Sequence, residues 1–211
     1  MRKLGMFLMA ALALILVSQN AYAQKPTKEQ KNAEKVIKKE AKQMKKEGWK
    51  VAPGNLTIEL QLKESYYKSL ERDSNGYDKY IKGEAMSTGE SYDAALFQAS
   101  NLAKLDLAGK LQTEVAELIN NNISNKQLAQ KQAASLAESV ASSKSLVSQK
   151  LGRVITPVIM YRDLKNGNVE VRTVVYYSHE MAMDTYKQTI REDLEKKSSD
   201  LAKQLDEILG F

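Results

Sequence analysis

The stretch Val154-Ile155-Thr156-Pro157-Val158-Ile159-Met160-Tyr161-Arg162-Asp163-Leu164-Lys165-Asn166-Gly167-Asn168-Val169-Glu170-Val171-Arg172-Thr173-Val174-Val175-Tyr176-Tyr177 decides the fold. Its two halves are rich in β-branched and aromatic residues and alternate with a period of two, the pattern of strands. Between them, Asn166-Gly167 suits a type I′ turn, whose two central residues need positive φ. The expected hairpin places Lys165 opposite Asn168, Arg162 opposite Val171 and Val158 opposite Val175. Pro157 lacks the N–H that a ladder uses, so its strand belongs at a sheet edge or carries a bulge.

On either side of the hairpin the pattern turns helical. Residues 180–209 carry Met183, Ile190, Leu194, Leu201, Leu205 and Ile208 at helical steps. One amphipathic C-terminal helix of about thirty residues is expected, packed on the hairpin and long enough to overhang it and pair with the first helix or another subunit. Residues 124–150 are rich in Ser, Ala, Gln and Lys, with a sparse apolar row at Leu128, Leu136, Val140 and Val147. A weakly held helix is expected there. Before it, Ser91 should cap a long helix reaching about Asn120, with Ala95, Ala99, Leu102, Ala103, Leu107, Leu111, Val115 and Leu118 close to one face. The small residues Ala94, Ala95, Ala99, Ala103, Ala108 and Gly109 allow another backbone to approach, so this helix packs on the sheet. The turn Asp73-Ser74-Asn75-Gly76 precedes a short strand within Tyr77 to Thr88. From Leu56 to Glu71 strand-like alternation competes with helix formers; Asn55 as a cap, and Tyr66, Tyr67 and Leu70 at helical spacing, favour helix.

Residues 24–48 read as a lysine-rich amphipathic helix, opened by Pro26 and the capping box Thr27-x-x-Gln30 and closed by Gly48. Lys28, Lys31, Lys35, Lys38, Lys42 and Lys45 step by three and four into one stripe, roughly opposite Ala33, Ile37, Ala41 and Met44. This stripe is the candidate interaction surface. A solvated face with local partners, such as Glu34 with Lys38, is the competing reading. Trp49, the only tryptophan, is expected to clamp this helix to the body.

The expected fold class is α+β: a small antiparallel sheet, made of one strand and the C-terminal hairpin, packed against the alanine-rich helix, with long N- and C-terminal helices. The expected organisation is a signal peptide at 1–23, the lysine-rich helix at 24–48, and a single α+β domain at 49–211. Met1-Arg2-Lys3 is a basic start, Leu4 to Val17 an apolar run, and Ala21-Tyr22-Ala23 a small-x-small cleavage signature. The apolar run is shorter than the roughly 20 residues that a spanning helix needs. Removing Arg2 and Lys3 lowers the formal net charge from +6 to +4. Nucleic acid is therefore not an expected partner.

Gly83-Glu84-Ala85, followed by Ser91-Tyr92-Asp93-Ala94-Ala95-Leu96-x-x-Ala99-x-x-x-Ala103-Lys104-x-Asp106-Leu107-Ala108-Gly109-x-Leu111, resembles the core of the LPP20-like envelope proteins. The resemblance covers Tyr77 to Leu111 and, in outline, the hairpin from Arg153 to Ser178. It implies a strand leading into an alanine-rich helix, a later hairpin completing the sheet, and an envelope location. It supplies no catalytic residues. Lipoprotein members of that group begin with an acylated cysteine, whereas this chain has no cysteine, so lipid anchoring by that route does not transfer.

The lack of cysteine and the single histidine exclude thiol catalysis and Cys/His zinc sites. No cofactor, metal-ligand set or catalytic residue is assigned. His179 is the one imidazole available as a base, and Asp93, Asp106 and Glu114 lie on one helix, where Asp106 is expected to pair with Lys110. The expectation is an exported, non-enzymatic envelope binding or scaffolding protein, peripheral to any membrane and capable of homo-oligomerising, with an envelope polymer or protein as partner. One alternative is a glycan or peptide hydrolase using Asp93, Asp106 or His179, which requires those side chains to converge in one concave site. The other is a self-assembling subunit that uses the sheet edge or the terminal helix.

Overall fold

The computed structural model describes residues 28–124, 130–197 and 199–209. The expected signal peptide, the opening of the first helix at 24–27, and Leu128 lie outside the described residues. The elements are α1 (Lys28–Lys46), α2 (Ile58–Leu70), β1 (Tyr80–Gly89), α3 (Tyr92–Ser124), α4 (Gln130–Lys150), β2 (Ile155–Asp163), β3 (Val169–Ser178), α5 (His179–Lys197) and α6 (Ser199–Leu209). The chain divides into two units, Met1–Ala33 and Glu34–Phe211. In the first, only the opening of α1 is described. The packing below belongs to the second.

The sheet is antiparallel in the order β1-β3-β2, so the central strand is the last in sequence. Pro157 lies on an edge strand, and the register shifts between Ile155 and Val158, so it combines both devices that tolerate a missing N–H. The hairpin register differs by one residue from the expected one: Asp163 faces Val169, Arg162 faces Glu170 and Val158 faces Val174. The turn closes from Leu164, whose carbonyl accepts the Gly167 N–H at 3.0 Å, and Gly167 adopts φ +85° just after it. A three-residue loop with a bulge replaces the two-residue turn. Helices cover both faces of β3, so its hydrophobic alternation does not discriminate between the registers. The observed one lets Arg162 pair with Glu170 at 2.6 Å.

One face of the sheet packs on α3. Its fully buried residues Ala95, Ala99, Ala103, Leu107, Leu111 and Val115, followed by Ile119, keep a four-residue stride. Each such step advances about 40° beyond a full turn, so the buried stripe winds around the helix. Ala95 and Ala99 meet Val171 of the sheet, while Leu111, Val115 and Ile119 join the α4–α6 core. The same winding leaves Leu102 and Leu118 partly in water, contrary to the single straight face expected for them. Closest approach occurs at Gly83, where an added Cβ would collide with the Ala103 carbonyl oxygen and lie 3.0 Å from Leu107 Cβ. At the strand's end, Gly89 similarly faces the Ala95 backbone.

Residues 130–150 form a well-packed helix rather than a loosely held one: Leu136, Val140 and Val147 are buried against α3 and α5. The Gln112 side-chain amide donates to the Val140 and Ala141 carbonyls at 2.8 Å. Buried Tyr186 of α5 shares a 2.8 Å hydrogen bond with Ser143 Oγ, and burial pushes its hydroxyl up to about 12. The long terminal helix expected over 180–209 is absent. Instead α5 ends at Lys197, and α6 is a short helix of 11 residues. Arg191 reaches Asp206 at 3.5 Å, a separation that a straight helix would stretch to roughly 22 Å, so α6 folds back along α5. The reason is burial: Ala202 and Leu205 enter the core that holds Ile190 and Leu194, whereas an overhanging helix would leave them in water. The side chains of Leu201 and Ile208 lie outside the description.

The opposite face of the sheet packs on α1 and α2. Ile37, Ala41 and Met44 of α1, and Ile58 and Leu62 of α2, cover Val158, Met160, Val174 and Tyr176. Thr57, not Asn55, caps α2 by accepting the Leu60 N–H. Gly48 ends α1 with φ +87°; its N–H bonds the Lys45 carbonyl, and the Trp49 N–H bonds that of Met44, a Schellman cap. Trp49 is buried in this cluster with the Arg162 guanidinium 4.7 Å from its ring.

Both sheet edges are partly occupied by the protein itself. On β1, the Glu84 N–H donates to Asp106, and the Lys82 carbonyl accepts from Lys110. On β2, Lys50 exchanges backbone hydrogen bonds with Tyr161, and the buried Gln61 side chain accepts the Ile159 N–H at 2.8 Å. These contacts use groups that would otherwise offer a pairing site to another chain.

The Thr173 hydroxyl is completely buried without a hydrogen-bond partner. Thr173→Val should therefore raise stability by about 1 kcal/mol, because it removes an unsatisfied polar group at nearly constant shape. Urea unfolding tests this; a lower midpoint for the variant refutes it. A second expectation concerns acid. Glu34 and Glu192 are held below the ordinary carboxylate range by hydrogen bonds and charge from Lys63 and Lys150. Burial pushes Glu84 up, but Lys82 and Arg172 outweigh it and leave it below that range as well. Groups depressed on folding stabilise the native state above their unfolded value and lose that contribution as pH falls. The urea midpoint should stay level from neutral pH to about 5 and decline below about 4.5, less steeply in Glu84→Gln. A midpoint that instead rises on acidification contradicts the assignment.

Candidate functional site

Alpha-helical spacing divides the body-bound part of α1 into three longitudinal strips. Ile37, Ala41 and Met44 form the buried strip. On one flank, Val36, Glu40, Gln43 and Glu47 line an open groove of about 750 Å³ whose floor is Glu84, Met86 and Arg172 of the sheet. On the other flank Lys35, Lys38, Lys42 and Lys45 are exposed. Lys28 and Lys31, in the first unit, are exposed too.

The electrostatics of the lysine strip depend on where the acids go. The expected Glu34 to Lys38 pair is not the main contact of Glu34, whose carboxylate instead meets Lys63 of α2 at 2.7 Å. Among the described residues, no carboxylate lies within ion-pair distance of Lys35, Lys38, Lys42 or Lys45, whereas Lys50, Lys63, Lys68, Lys82, Lys110 and Lys150 are all paired. Glu40 and Glu47 lie on the groove side. The strip is therefore a row of like charges, spanning about 15 Å from Lys35 to Lys45 along the axis.

The candidate catalytic residues do not converge. Asp93 sits in the first turn of α3, roughly 30 Å along the helix from Glu114. Asp106 pairs with Lys110 at 2.9 Å, as expected, and also holds the β1 edge. His179 Nε2 lies 2.9 Å from Glu114 Oε2, and both line a cavity of about 690 Å³ that includes neither Asp93 nor Asp106. The convergence required by the hydrolase reading is thus missing for that trio. Among the described residues no group of three or more acidic or histidine side chains forms a metal site.

Sequence reasoning missed two surface features. Tyr77 is 73% exposed at the rim of the His179 cavity, and Phe97 is 72% exposed between α3 and α4. An isolated aromatic in a strand or helix pattern reads as core, and only the packing reveals that it is not.

Compared with protein-family models, curated proteins and solved structures, the chain matches none. No described helix is long and apolar enough to cross a membrane. The chain contains no cysteine to acylate.

Proposed function

We propose that the protein is an exported, non-enzymatic envelope binding or scaffolding protein that attaches to an anionic envelope polymer through the lysine face of α1. The observation that carries this reading is the row Lys35, Lys38, Lys42 and Lys45, none of which makes an ion pair among the described residues, the carboxylate of Glu34 being engaged by Lys63. Unneutralised charge of one sign on a rigid helix attracts a polyanion and orients it along the axis.

A second feature narrows the mode of attachment. Amphipathic helices that insert into a bilayer need a free apolar face. In α1 that face is occupied, with Ile37, Ala41 and Met44 buried in the body. Attachment is thus electrostatic contact with a charged polymer rather than insertion among acyl chains. The export and the likeness to LPP20-like proteins belong to this proposal as its envelope setting. Assembly through an overhanging terminal helix receives no support, since α6 folds back into the core.

The test is co-sedimentation of the protein with purified envelope fractions across a salt series, beside a variant in which Lys35, Lys38, Lys42 and Lys45 are changed to Glu. Salt-sensitive binding that the variant loses supports the proposal. Binding that survives charge reversal removes it.

A further inference from the structure

The loop between α2 and β1 is built to hold one aromatic side chain out from the body. Its backbone is laddered: Lys79 N–H donates to the Glu71 carbonyl, and Asp73 N–H to that of Tyr77. The Asp73 Oδ1 accepts the N–H groups of Asn75 and Tyr77 at 2.8 and 2.9 Å, and Gly76 takes φ +87°. This scaffold presents Tyr77 at the rim of the 690 Å³ cavity, within the size range of small-ligand sites. A further cavity of about 570 Å³ continues along the same loop and shares Asp73, Asp78 and His179.

The chemistry of these walls selects among ligands. The cations beside them are already engaged: Lys110 by Asp106 and the Lys82 carbonyl, Lys82 by Glu84, and Arg72 by Asp78. Unused acceptors remain, because Asp73 has no cation partner among the described residues and Glu114 uses one oxygen on His179, leaving the other. An anion would meet these free carboxylates. Hydroxyl donors suit the free acceptors, while an apolar C–H face suits the exposed tyrosine ring.

We propose that this cleft binds a neutral oligosaccharide, with one pyranose ring stacked on Tyr77 and its hydroxyls donating to Asp73 and Glu114. The two neighbouring cavities, about 690 and 570 Å³, are each large enough for a sugar ring. The site is separate from the α1 lysines and does not depend on their role.

Because His179 is the only histidine, its ring protons give an NMR signal identifiable by composition. The protein is titrated with chitotetraose and with cellotetraose. A saturable shift of that signal at millimolar ligand, weakened at least about tenfold in Tyr77→Ala and in Glu114→Gln but unchanged in the α1 charge-reversal variant, is the expected result. Tyr77 is exposed, so Tyr77→Ala should keep the parent unfolding midpoint. Lack of a shift with either sugar, equal binding by Tyr77→Ala, or the same shift produced by tetramethylammonium or inorganic phosphate overturns the proposal.

Discussion

Gly83→Ala should lower stability by about 3 kcal/mol, at the upper end of what overpacking costs, and depress Tm by roughly 10 °C for a chain of this size. The new methyl would overlap the Ala103 carbonyl oxygen and press on Leu107 Cβ at 3.0 Å. Neither partner can move away easily. Asp106 and Lys110 of the same helix hold the Glu84 N–H and the Lys82 carbonyl on either side of Gly83, so strand and helix are tied where they would have to separate. Gly109 is the matched control. A Cβ there meets only the end of the Lys144 side chain, which can swing aside, so Gly109→Ala should be neutral or stabilising through its helix propensity. Urea denaturation of both variants decides: a Gly83→Ala protein as stable as the parent would show that β1 and α3 do not approach as described.

The second large effect is on attachment. Changing Lys35, Lys38, Lys42 and Lys45 to Glu reverses four charges that make no ion pair, so binding to a polyanion should fall below detection. In the parent, four contacts to a phosphate-bearing polymer give a slope of about −3 to −4 in log K against log salt. That is roughly a hundredfold loss between about 50 and 200 mM salt. Folding should be little affected, since all four side chains are exposed and make no ion pair. The variant's unfolding midpoint provides the check: a matching midpoint with lost binding isolates the charge effect, and a flat salt profile in the parent argues against electrostatic attachment.

The hairpin shows how much of the fold was legible and where legibility ended. Strand type, an edge or bulged place for Pro157 and the location of the turn, though not its type, follow from residues within a few positions of one another. The register did not follow, because burial on both faces of β3 made either register acceptable to the hydrophobic pattern. The C-terminal segment behaves similarly. Helical spacing runs through residues 180–209, but Lys196-Lys197 followed by Ser198-Ser199-Asp200 combines a stop signal with a start signal. Choosing between one helix and two requires the core into which Ala202 and Leu205 turn.

By itself, then, the sequence determined the local properties of this protein: the alanine row along α3, the Gly48 cap and the lysine row of α1. These depend on periodicity and on interactions within about a helical turn, which neighbouring residues specify. The tertiary structure alone decided which of those features remain free to act. Glu34 meets Lys63 across 29 residues rather than pairing first with Lys38. Glu114 meets His179 across 65 residues, while Asp93 and Asp106 lie elsewhere on the same helix. Long-range pairing depends on how whole elements pack, and residue spacing along the chain carries no record of it.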